Sequence, residues 1–320
     1  MTARKLEDRL AWLAAVEHGA ESLDVAAVRD ALRSKIGILV AAAARLVATR
    51  ELAPLYDELA PAFARLLERG VERDPGCRGK IAIARALHQL DRWQDEVFVR
   101  GVTCVQAEPV WGGHDDTAAE LRGVCGLAYA HAGRADALDV LAELLADPQR
   151  IARTAAAQAL GDSARPDATA LLRFKARSGD DEPAVIGACL GSLLALAPKV
   201  SLPFVAGFLA GDGEPAEVAA LALGESRLAA ATPLLIGWCD RAPADVRRRV
   251  GYLALALLRD DPATTFLLGL VATAARIEAI AAARALATFK DDPRQVARLR
   301  AAAAAHRDAA VRADVAAALA

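Results

Sequence analysis

The sequence predicts an all-α fold: about eight antiparallel helix pairs stacked as one continuous α-solenoid. Three observations carry that expectation. The stretch from Asp147 to Arg177, DPQRIARTAAAQALGDSARPDATALLRFKAR, reads as a helix, a short turn and a second helix. Its Leu160-Gly161-Asp162-Ser163, with Leu171-Leu172 downstream, recurs 63 residues later as Leu223-Gly224-Glu225-Ser226 with Leu234-Leu235, an interval of two copies of about 31 residues. Hydrophobic residues make up 55% of the chain but aromatics only 4%, and Ala dominates the apolar share. Ala is the best helix former, and its small side chain lets helices stack closely.

Within the unit, Asp147-Pro148 is a helix-start signal, because Pro fits a first turn where its missing N–H is no loss. Ile151, Ala155, Ala159 and Leu160 then recur at helical spacing as one apolar face. Gly161-Asp162 ends the helix, Arg165-Pro166-Asp167 opens the next, and Leu171, Leu172 and Phe174 form the second helix's expected buried side. Seven residues before each such Leu, or before Tyr129 in the second copy, lie Lys80, Arg122, Arg153, Gly187, Ala216, Arg248, Ala279 and Arg312, at spacings of 42, 31, 34, 29, 32, 31 and 33.

Taken in order, residues 1–73 fit the repeat least and read as a diverged amino-terminal repeat and cap. Leu6, Leu10, Leu13 and Val16 line a first helix ended by His18-Gly19. Asp24 caps a long helix expected to reach Ala48, and Ala53-Pro54 precede a third helix through Leu67. The array proper spans 74–320. First helices are expected from near Asp74, Asp115, Pro148, Glu182, Glu214, Pro243, Ala274 and Arg307. Second helices fall near 92–106, 134–146, 166–177, 200–210, 229–240, 262–272 and 292–304. The last unit, VRADVAAALA, has an apolar face without a successor and reads as a weak cap or as a surface packed on another chain.

Composition narrows the functional classes. A net charge of −2 weighs against bulk attraction to nucleic acid or an anionic membrane. The segment MTARKLEDRLAWL lacks the apolar core of a signal peptide, and the most apolar run, Ile36 to Ala44, is too short to span a bilayer. Five cysteines (Cys77, Cys104, Cys125, Cys189, Cys239) are scattered without C-x-x-C pairing, which suits reduced, buried thiols in a cytoplasmic protein. Heavy Ala and Arg usage points to a GC-rich bacterial genome.

Three constellations bear on function. Register positions Lys80, Arg122, Arg153, Arg248 and Arg312 are cationic, and Asp74, Asp116 and Asp147 each lie six residues before a cation. This spacing suits a structural ladder between repeats, or else a row of sites for phosphate or acidic ligands. The 42-residue interval carries a surplus of about ten residues in Gln106-Ala107-Glu108-Pro109-Val110-Trp111-Gly112-Gly113-His114-Asp115-Asp116. That loop, 107–116, is either a binding loop offering Trp111, His114 and Asp115, or a long turn in which Trp111 plugs the gap between repeats and Asp115 or Asp116 caps the next helix. Arg247-Arg248-Arg249 fan around a regular helix and so make no single patch. His114, Asp115, Asp116 and Glu108 are metal-ligand types, but neighbours in sequence rarely converge on one ion, and no metal or cofactor is expected. The Gly-rich pieces match no phosphate-binding loop, and no nucleophile has a base beside it in sequence.

The Asp-Pro, Arg, Ala-Ala-x-Ala-Leu-Gly pattern resembles the bacterial HEAT-like repeat of the phycobilisome-lyase type, over roughly 74–320. The resemblance implies that Arg-bearing helices line a concave face, which would include Arg85, Gln89, Arg150, Gln158, Arg247, Arg249, Arg276 and Arg284. It implies as one activity the attachment or removal of a bilin on a partner protein. Likeness to deoxyhypusine hydroxylases fails because no His-Glu dipeptide occurs, and no motif of the HEAT-like DNA glycosylases is found. The expectation is therefore a non-enzymatic scaffold that binds a protein or peptide through the concave face and the 107–116 loop. The alternatives are a nucleic-acid-binding member of the class or a bilin-lyase-like subunit.

Overall fold

The computed structural model describes residues 3–319. Met1, Thr2 and Ala320, the outermost residues of the expected cap and array, lie outside the described part. Among the described residues the chain is helical apart from one two-stranded hairpin, which bears out the all-α expectation. It divides into two compact units, Met1–Ser163 and Ala164–Ala320. No described helix is long and apolar enough to cross a membrane.

The first unit opens with α1 (Ala3–Glu17), which buries Leu13 and Val16, then α2 (Val25–Leu32) and α3 (Gly37–Thr49). Asp24 caps α2 by accepting from the N–H groups of Ala26 and Ala27 at 2.9 and 3.2 Å. The single helix expected from Asp24 to Ala48 is broken. Ser34 Oγ accepts from the Ile36 N–H at 3.1 Å, a local bond that competes with the helical ladder, and the chain restarts at Gly37. A Cβ at Gly37 would lie 2.7 Å from the Asp74 Cα, so only glycine allows this approach.

There follow α4 (Tyr56–Leu67), the short α5 (Gly70–Arg73), α6 (Arg78–Gln89) and α7 (Asp95–Gly101). Strands β1 (Ala107–Val110) and β2 (Gly113–Asp116) come next, then α8 (Ala119–His131), α9 (Ala137–Leu144) and α10 (Arg150–Asp162). Helices α3, α6, α8 and α10 pack each on the next, while α4 and α7 pack behind them. The core of this layer is small: Ala43, Ala44, Ala84, Ala156 and Ala157 are fully buried beside Leu46, Ile83, Leu121 and Leu160.

The second unit holds α11 (Ala168–Ser178), α12 (Pro183–Leu196), α13 (Pro198–Ala206), α14 (Glu214–Glu225) and α15 (Thr232–Arg241). It continues with the one-turn α16 (Ala244–Val246), a π-helical turn at Arg247–Gly251, α17 (Tyr252–Leu258), α18 (Asp261–Thr273), α19 (Arg276–Ala287), α20 (Pro293–Ala305) and α21 (Ala309–Ala318). Helices α12, α14, α17, α19 and α21 again pack each on the next. Gly224 explains the glycine of the recurring Leu-Gly pair here, since a Cβ on it would sit 2.8 Å from the Ala254 Cα.

Two expected faces are rotated. Ile151 is half exposed, and α10 instead buries Ala152, Ala156, Ala159 and Leu160. Phe174 is 73% exposed, and α11 buries Ala168, Leu172 and Ala176 at strict i, i+4 spacing. In both helices alanines take the tight contacts, where a bulkier side chain would hold the neighbouring helix away.

Candidate interaction site

The site begins with a buried polar network in the first unit. Asp74 and Lys80 are both 0% exposed, and Lys80 Nζ lies 3.1 Å from Asp74 Oδ2 and 2.7 Å from Gln106 Oε1. Asp74 also accepts from the N–H groups of Gly79 and Lys80, at 2.7 and 3.0 Å. Gln106 Nε2 donates to the Asp74 carbonyl at 2.9 Å and to Glu108 Oε1 at 2.7 Å. A charge without water must be paired and hydrogen-bonded on all sides, and this network meets that need with side chains from three segments of the chain.

Arg122, 4% exposed, continues the network. Its Nη1 donates to Asp116 Oδ2 and to the Cys104 carbonyl, both at 2.7 Å. Its Nε and Nη2 fork onto Asp147 at 2.6 and 2.8 Å. Arg153 Nη1 donates to the Asp147 carbonyl at 2.8 Å, and Arg312 Nη1 to the His306 carbonyl at 2.6 Å, each a partner six residues earlier. His306 replaces Asp at that last joint: its Nδ1 accepts from the Asp308 N–H, which leaves Nε2 to donate to the Ala274 carbonyl. Arg248 departs from the pattern and meets Glu278 at 3.1 Å.

The surplus segment stands on this network as an antiparallel hairpin, with Ala107 opposite Asp116 and Val110 opposite Gly113. A lone two-stranded hairpin is marginal in water, so its anchorage decides its order. Asp116 Oδ1 accepts from the N–H groups of Gln106 and Ala118 at 3.0 and 3.1 Å, and the Thr117 N–H meets the Gln106 carbonyl at 3.0 Å. Glu108 Oε1 accepts from Thr117 Oγ1 and from the Gly76 N–H, both at 2.7 Å. Burial pushes the Glu108 carboxyl up. The bonds from Thr117, Gln106 and Gly76 and the Lys80 charge outweigh it, so the group is held below the usual carboxylate range. Asp116 is held low in the same way, against burial, by the Gln106 N–H and Arg122.

At the tip Gly112 takes φ +92°, which a turn of this tightness requires of glycine. Trp111 beside it is 101% exposed, Val110 51%, and Pro109, His114 and Asp115 are exposed as well. The turn in which Trp111 would plug a gap between repeats is therefore not what forms. The side chain stands in solvent, and Asp116 rather than Asp115 meets the start of α8.

Beside the hairpin base a groove of about 590 Å³ runs between α3 and α6. Gly76, the residue bonded to Glu108, is part of its wall, and Arg85 and Gln89 lie along it. Arg85 is paired with Glu120 of α8. Arg150 and Gln158 are exposed on α10 and do not line this groove. In the second unit Arg247 and Arg248 do not fan apart: on the π turn both reach Glu278, at 2.8 and 3.1 Å, and Tyr252 donates its hydroxyl to the same carboxylate. Arg249 turns instead to Glu217 at 2.8 Å. Arg276 meets Asp314 at 3.6 Å.

One meeting gave no sequence signal. His88 and His131, far apart in the chain, bring their rings to 5.4 Å, and His131 Nε2 lies 3.2 Å from Asp91 Oδ1. Burial, then the His131 charge, lowers the His88 pKa. Among the described residues no group of three or more His, Cys, Asp or Glu could hold a metal ion. All five cysteines are free, and burial pushes the thiols of Cys77, Cys189 and Cys239 up to about 12. No protein-family model matches the chain, and no curated protein matches it either.

Proposed function

We propose that the chain is a non-enzymatic scaffold, built in each unit from HEAT-like helix pairs, that binds a protein or peptide through the 107–116 hairpin and the adjoining α3–α6 groove. The observation that carries this reading is Trp111: a fully exposed indole on a hairpin whose base is fixed by half-buried, charge-assisted bonds. A Trp that becomes buried covers about 200 Å², worth about 5 kcal/mol before ordering costs. Aromatic anchors of this kind typically report at least about 2 kcal/mol when truncated. A pre-anchored hairpin lowers the ordering cost that a floppy loop would add.

The helix-on-helix packing within each unit, the recurring Asp-to-cation joints and the Ala-rich core support the HEAT-like reading. The test is capture from cells that express the protein, comparing wild type with Trp111→Ala/His114→Ala. A polypeptide held by the wild type and lost by the variant is the expected result. Equal retention, or nucleic acid or pigment in place of a polypeptide, contradicts it.

A further inference from the structure

The α3–α6 groove has a counterpart in the second unit. There a groove of about 610 Å³ lies between the Arg247–Gly251 turn, α17 and α19. Counted from register residue Lys80, the wall of α6 presents Ile81, Ala82, Arg85 and Ala86 at one, two, five and six positions on. Counted from Ala279, the wall of α19 presents Ile280, Ala281, Arg284 and Ala285 at the same four offsets. Two walls with one residue pattern, each facing the first helix of the preceding pair, can take one kind of occupant.

Their chemistry says which kind. Both floors are apolar and low, because Ala and Ile leave room for an inserted side chain. Both rims keep unneutralised cations. In the first groove Glu120 holds Arg85, while Arg45 and Arg78 have no ion-pair partner among the described residues. In the second, Glu278 and Glu217 hold Arg248 and Arg249, while Arg284 has no such partner among the described residues. The lining carboxylates, Glu17 and Glu120 in one groove and Asp245 in the other, are outnumbered by the three lining arginines of each. An apolar floor under free guanidinium groups is complementary to an apolar side chain flanked by carboxylates.

The geometry points to two equivalent docking grooves, one in each unit, that each take an acidic polypeptide segment carrying an apolar anchor. This rests on the reading of the chain as a polypeptide-binding scaffold, and adds the chemistry of the partner and a second place for it.

The probe is a fluorescein-labelled peptide repeating Leu-Glu-Glu, titrated against the full chain by anisotropy and calorimetry, with a Leu-Lys-Lys peptide as control. Two sites are expected for the acidic peptide and none for the basic one. Arg284→Glu should leave one site, Arg45→Glu/Arg78→Glu should leave the other, and the combined variant neither, all with unchanged circular dichroism. Arg284→Lys, which keeps the charge, should retain both sites. A single site in the wild type, equal binding of the basic peptide, or two sites surviving Arg284→Glu overturns the inference. So does stoichiometric displacement of the peptide by oligodeoxythymidine. Loss of two-site binding while Trp111-dependent capture persists sinks this inference alone. Two-site binding with capture indifferent to Trp111 sinks the hairpin reading instead.

Discussion

Gly76 donates its backbone N–H to Glu108 Oε1 at 2.7 Å, and that bond joins the wall of the α3–α6 groove to the base of the hairpin. Hairpin and groove are thus parts of one surface, and their coupling can be tested through Glu108.

Glu108→Ala removes the acceptor shared by Gly76, Gln106 and Thr117. Bonds to a charged group are worth about 1.5–3 kcal/mol, so amide exchange over 107–116 should quicken by about tenfold or more while α3 keeps its protection. The wild type should show the same loosening in acid. The folded Glu108 and Asp116 pKa values are lowered, so their stabilisation is present above the unfolded carboxylate range of about 4 and is lost as pH falls through the folded values. Exchange, referenced to an unstructured peptide, should rise there and not above neutrality.

Lys80→Ala leaves Asp74 and Gln106 without their cation in a site closed to water. Breaking a buried pair from one side costs about 3–5 kcal/mol, read as a lowered denaturation midpoint. Arg122→Lys should also destabilise, because one ammonium cannot span Asp116, Asp147 and the Cys104 carbonyl as the guanidinium fork does.

Two glycines should respond with opposite signs. Gly224→Ala drives a methyl into the Ala254 backbone and should destabilise by about 1–3 kcal/mol. Gly269 sits inside α18 with nothing within 4 Å of an added Cβ, so Gly269→Ala should stabilise by about 0.4–1 kcal/mol. Thermal midpoints of the two variants check both signs.

The thiols should be inert in the native state. Cys77, Cys125, Cys189 and Cys239 are buried, and every cysteine has its pKa raised by burial. At pH 8 a disulfide reagent should find no fast-reacting thiol, and all five should react after denaturation. A fast native thiol would show that a cysteine is exposed and activated.

The helices were legible because the register positions recur every 29–34 residues apart from one interval of 42, and the second helices fall close to where that spacing puts them. The surplus segment was legible as a break in that spacing. Its hairpin was not, since Glu, Pro, Gly and Asp are poor strand formers and the pairing depends on Gly76, Gln106 and Thr117 below it. Phe174 and Ile151 misled because hydrophobicity marks a face without saying which residues fit a close crossing. The α2–α3 break turned on one Ser34 hydroxyl, too local for periodicity to register. Arg247 and Arg248 converge because of a π turn that three successive arginines do not announce.

The most direct measurement places a photo-crosslinking benzoylphenylalanine at position 111 in cells that express the protein, with adducts identified by mass spectrometry. The account predicts a discrete covalent adduct with a polypeptide at 111, lost when Glu108→Ala releases the hairpin. No adduct at 111, or an adduct with nucleic acid, contradicts it.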